Sequence, residues 1–228
     1  MELNCSGIVI NSYDFQDKHK IIVLLTDTLG KISVIFKNSK VLKSSNRESS
    51  LLYSVSEFKL SRGKNFHYII SSYFEKGFQA EYYENYETAS KIIKIVNKCL
   101  PDDYINPKIY FLTRNFIAYV EKMYEENNYF VLSSYILKFL YFLGHKPDFS
   151  NCLCENNSKY VFDICRSVVY CSECCEDFSN TVRFDREYAE IIKQMLKWDY
   201  TTEKIIQNES NSEIYEILLK YLKYHFGG

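Results

Sequence analysis

The chain has 228 residues, a formal net charge of -1 and a hydrophobic fraction of 46%. That composition supports a packed core. It excludes a largely disordered chain and a protein whose overall positive charge coats nucleic acid. The first residues, "MELNCSGIVINSYDF", lack the basic start and long apolar run of a secretion signal, and no apolar segment approaches the length of a membrane span. The expectation is a cytoplasmic protein with no membrane partner and reduced cysteines.

The first eighty residues predict strands. "SGIVINSYD" is a short apolar run, and "KHKIIVLLTDTLGKISVIFKNS" reads as two strands joined at Gly30, which adopts a positive φ at little cost. "VLKSSNRESSLLY" has no apolar period and reads as a loop. "LLYSVSEFKLSRG" and "KNFHYIISSYFEKG" follow as two more strands with a turn at Gly63. These short strands predict a small antiparallel barrel or sandwich.

After Gly77 the period becomes helical. Ala89, Ile92, Ile93, Val96 and Leu100 share one face of a first helix that Pro101 stops. A second helix starts at "NPKIYF", with Pro107 suited to its first turn. A third, "YFVLSSYILKFLYFLG", is apolar nearly all round and is expected at the centre of a helical domain, with Gly144 ending it. "DREYAEIIKQMLKWDY" and "NSEIYEILLKYLKYHFG" supply two more. A boundary near residue 80 separates strands from helices.

Six of the eight cysteines fall between Cys152 and Cys175. Cys152 and Cys154 form C-x-C, and Cys171 and Cys174 form C-x-x-C. Two close pairs brought together by a hairpin suit a tetrahedral structural Zn2+. The expected ligands are Cys152, Cys154, Cys171 and Cys174, with Cys165 and Cys175 as substitutes. The alternative is a set of reduced, partly buried thiols without metal. A four-thiolate site is closed and does not imply catalysis.

Residues 1–80 carry eleven Lys/Arg against seven Asp/Glu, a charge of +4, and the rest of the chain carries -5. Lys37, Lys40, Lys43 and Arg47 cluster in the loop after the third strand. Lys31 lies on the strand that feeds it, and Arg62 and Lys64 extend the patch from a neighbouring turn. Such cations on a small barrel can track a phosphate backbone, and Phe36, Phe66 and Tyr68 offer stacking surfaces where they point outward. The competing interpretation of the charge run is a solvated loop. No Walker loop, histidine-rich metal centre or nucleophile motif is visible, so no enzyme is expected.

"IIVLLTDTLGKISVIFKNSKVLKSS", the Arg62–Gly63 turn of "LLYSVSEFKLSRGKNFHYI", and "YILKFLYFLGHKPDFSNCLC" followed by "YCSEC" form an ordered series. The series resembles the bacterial RecO family of DNA repair and recombination mediators. Leu143, Gly144, Pro147 and Cys152 keep the family's pattern. The chain departs from it in its C-x-C pair, in Ser167 and Val168 where glycines often stand, and in a lysine-rich loop that keeps charge but loses the guanidinium fork. The resemblance implies an α+β fold: an OB-type antiparallel β-barrel that binds DNA over 1–79, then a helical domain over 80–228. A zinc-knuckle-like hairpin insertion is implied at 150–178. It further implies sequence-independent binding of single- and double-stranded DNA, strand annealing and recombinase loading at the nucleoid. The implied partners are RecR and the acidic carboxy-terminal tail of single-stranded-DNA-binding protein. The rival expectation is a zinc-stabilised, protein-binding adaptor without direct DNA contact.

Overall fold

The computed structural model of the protein describes residues 2–15, 19–37, 47–64, 66–123, 128–149, 159–174, 179–199 and 210–227. The chain divides into two compact units, Met1–Tyr124 and Glu125–Gly228.

In the first unit, β1 (Glu2–Phe15), β2 (His19–Thr26), β3 (Lys31–Phe36), β4 (Val55–Arg62) and β5 (His67–Lys76) close into a barrel of order β1-β2-β3-β5-β4. Every pairing is antiparallel except β3 with β5. Alternation explains the core. Ile22 and Leu24 of β2, Ile32, Val34 and Phe36 of β3, and Phe58 and Leu60 of β4 recur at every second position and meet inside with Cys5 and Val9. Each such side chain taken out of water contributes about 1.5–3 kcal/mol. An irregularity between Val9 and Asn11 lets the long β1 pair first with β4 and then with β2.

Two helices fold with this barrel: α1 (Tyr83–Cys99) and α2 (Pro107–Glu121). The Asn106 side chain caps α2, accepting from the Lys108 and Ile109 amides, with Pro107 in the first turn. Their attachment to the barrel is specific. Asn97 donates its amide to the Ile10 carbonyl at 3.2 Å, and Ser6 and Tyr110 share a hydroxyl hydrogen bond of 2.7 Å. The change from strand to helix near residue 80 therefore lies inside the first unit.

The second unit is built around α3 (Asn128–Phe142), buried on nearly every side and packed against α4 (Arg186–Lys197) and α5 (Ser210–Phe226). Gly144, at φ +85, follows its end. Lys138 reaches from α3 to donate to the Leu196 carbonyl at 2.7 Å, satisfying the last turn of α4. Burial lowers that ammonium's pKa, and the nearby Asp199 charge raises it. No helix among the described residues is long and apolar enough to cross a membrane.

The expected fold is corrected at its carboxy-terminal sheet. In place of a zinc-knuckle-like hairpin insertion, β6 (Lys159–Asp163), β7 (Val168–Cys171) and β8 (Thr181–Asp185) form an open three-stranded antiparallel sheet of order β7-β6-β8, which is not a barrel. β8 leads directly into α4. Sequence missed this strand because five residues with an exposed Arg183 give little alternation to read.

Candidate nucleic-acid interface

The zinc expectation is overturned. Among the described residues no group of three or more His, Cys, Asp or Glu is placed to hold a metal ion. Cys171 sits opposite Tyr160 in the β6–β7 register and is fully buried, whereas Cys165 lies exposed in the turn after Asp163, at the other end of the same hairpin. Cys174 is exposed beyond β7. Cys171 and Cys174 are neighbours across a short turn, where the Cys174 amide donates to the Cys171 carbonyl at 3.1 Å, but among the described residues no third donor joins them as tetrahedral zinc requires. Cys152, Cys154 and Cys175 lie outside the described residues. The two isolated cysteines belong to the core. Burial pushes the Cys5 thiol up to about 12 and the Cys99 thiol up to about 11, so neither is a thiolate at neutral pH.

The basic residues are sorted by the barrel register. His67, the first residue of β5, lies opposite Val34 of β3 on one side and Arg62 of β4 on the other. The next residue, Tyr68, lies opposite Ile35 and Ser61. The end of β3 and the β4–β5 turn are therefore neighbours. Lys37, just past β3, places its Nζ 5.2 Å from the centre of the Tyr68 ring. Lys37, Arg62 and Lys64 are all exposed, and among the described residues none of the three is held in an ion pair. Lys20 adds a further cation that sequence inspection passed over, since it stands opposite Phe36 on β2. A lysine opening a strand carries no signal until the register is known.

Gly63 holds this corner together. Its amide donates to the Phe66 carbonyl at 3.0 Å. A Cβ at Gly63 would stand 2.4 Å from that carbonyl oxygen and 2.6 Å from the Tyr68 ring. The turn can close over the tyrosine only where the side chain is a hydrogen.

Two of the other expected contacts, Lys31 and Arg47, stand apart from this corner. Lys31 is 9% exposed: its ammonium pairs with Asp102 at 3.2 Å and donates to the Asn97 carbonyl at 3.1 Å. It is not a surface cation. It fixes the α1–α2 connection to the barrel, helped by the Asp103 amide donating to the Lys31 carbonyl at 3.0 Å. Arg47 is exposed but leads into the 3-10 turn Glu48–Ser50 ahead of β4, whereas Arg62 ends that strand. Lys40 and Lys43 lie outside the described residues. Of the three aromatic candidates, Phe36 is core at 2% exposure, while Phe66 and Tyr68 are half-buried.

The family model for the recombination protein O amino-terminal region matches residues 1–77, and that for its carboxy-terminal region matches residues 81–228. The DNA repair protein RecO of Caldanaerobacter subterraneus is 26% identical over 235 residues, spanning 98% of this chain and 94% of that protein. That of Mycoplasma mycoides is 27% identical over 238 residues, spanning 97% and 90%. That of Desulforamulus reducens is 22% identical over 227 residues, spanning 96% and 88%. The chain belongs to the recombination protein O family, whose part in DNA repair and recombination is that of a mediator and not of a catalyst.

Proposed function

We propose that the protein binds single- and double-stranded DNA without reading sequence, promotes annealing of complementary strands and helps load the recombinase onto coated single-stranded DNA. Its proposed partners are RecR and the acidic carboxy-terminal tail of single-stranded-DNA-binding protein. One observation carries the DNA-binding part: Lys37, Arg62 and Lys64 lie on neighbouring segments at one end of the barrel, exposed and without ion pairs among the described residues. Family membership supports the remainder.

The physics follows from charge. Two complementary strands are polyanions, and bringing them together is opposed by phosphate repulsion. Cations on a barrel corner lower that repulsion and release condensed counterions. Lysine and arginine reaching phosphates fix position and carry no base information, so unrelated sequences bind alike.

Titrating the purified protein with two oligonucleotides of equal length and unrelated sequence tests this. Equal affinities are expected, with log K falling linearly as log salt rises. A strong preference for one sequence, or an affinity indifferent to salt, would contradict the proposal.

A further inference from the structure

Strand alternation gives Tyr68 a second role. Ile69 packs against the barrel core, so its neighbour Tyr68 belongs to the outer face of β5. One edge of the Tyr68 ring lies against the Gly63 backbone, as the 2.6 Å approach of a built Cβ to its Cε2 atom shows. A ring face lies under the Lys37 ammonium, 5.2 Å from the centroid. The ring is thus held at its edge by the Gly63 backbone, and one face lies under the tip of the exposed Lys37 side chain.

We propose that Tyr68 is the residue by which this barrel distinguishes unpaired from paired strands, by stacking one unpaired base where the Lys37 ammonium now sits. The inference rests on the proposed DNA binding and deepens it. A nucleobase offers a flat π-face of the right size for a tyrosine ring, and stacking tolerates any base. The ammonium that it displaces is not stranded. The nucleotide bringing the base also brings a phosphate, and Lys37 exchanges a ring quadrupole for a full negative charge. A duplex cannot make this exchange. Its bases are stacked on one another, so it presents phosphates and base edges, which Lys37, Arg62 and Lys64 meet without Tyr68.

The test compares Tyr68→Leu and Tyr68→Phe with the native chain. Three DNAs of equal length are used at one salt concentration: a single strand, a duplex, and a single strand made abasic at every position. The native chain and Tyr68→Phe should bind the abasic strand about tenfold more weakly than the intact one. Tyr68→Leu should lose about tenfold on the intact strand, with a much smaller change on the duplex, and should no longer tell intact from abasic. An unchanged single-to-double-strand ratio in Tyr68→Leu would overturn the stacking role while leaving DNA binding in place. So would a native chain that binds intact and abasic strands alike. Failure of the native chain to bind any of the three would instead overturn the underlying proposal. If Tyr68→Leu does not fold, the abasic comparison on the native chain and Tyr68→Phe decides alone.

Discussion

Replacing Lys37, Arg62 and Lys64 together by glutamine should weaken binding to any DNA on the order of 100-fold near 0.1 M salt, at about 1 kcal/mol for each lost contact with a phosphate. The reason is counterion release. Each phosphate neutralised contributes a slope of about 0.9 to the dependence of log K on log salt for duplex and about 0.7 for a single strand. Removing three cations should therefore flatten that slope by about 2 to 3. All three side chains are exposed and outside ion pairs among the described residues, so the melting temperature should stay close to that of the native chain. Filter binding across a salt series, with calorimetry on the same samples, reads both. Lys31→Gln is the instructive contrast. It should lower stability, because Lys31 is buried against Asp102 and the Asn97 carbonyl, and should leave the salt slope alone.

The second large effect concerns a turn. Gly30→Ala should cost about 3 kcal/mol and lower the melting temperature by about 10 °C. Gly30 sits at φ +73, where a Cβ is disfavoured by itself. A Cβ there would also stand 2.6 Å from the Tyr104 carbonyl oxygen, 2.8 Å from the Tyr104 carbonyl carbon and 2.9 Å from the Asp103 carbonyl carbon. All three are backbone atoms, so the α1–α2 connection has to move. Moving it breaks the pairing of Lys31 with Asp102 and Asp103. Gly144→Ala is the control, since Gly144 has φ +85 but, among the described residues, nothing within 4 Å of a built Cβ. It should cost only the conformational part, about 1 kcal/mol. Equal losses from the two substitutions would show that the close approach at Gly30 contributes nothing.

Much of the fold is legible in the residues alone. The turn at Gly30, the proline-started α2 and the all-apolar α3 follow from residue type and spacing. What stayed hidden depended on partners distant in the chain. Lys31 reads as one more cation in a basic stretch, and only Asp102 and Asn97, some seventy residues on, reveal it as a buried anchor. Phe36 and Tyr68 are equally aromatic, and it takes the β3–β5 register to send one into the core and the other onto the outer face. The cysteines misled for a related reason. Spacing reports closeness along the chain, and the close pair Cys171 and Cys174 is joined by no third metal donor among the described residues.

The location of the DNA surface is tested most directly without any substitution. Lysine acetylation, mapped by mass spectrometry with and without a bound single strand, reports which ammonium groups the DNA covers. Lys94, exposed on α1 of the same unit, serves as the reference. DNA should protect Lys37 and Lys64 strongly and Lys94 little. Acetylation of Lys37 and Lys64 that is unchanged by saturating DNA would contradict the assignment of this corner as the nucleic-acid surface.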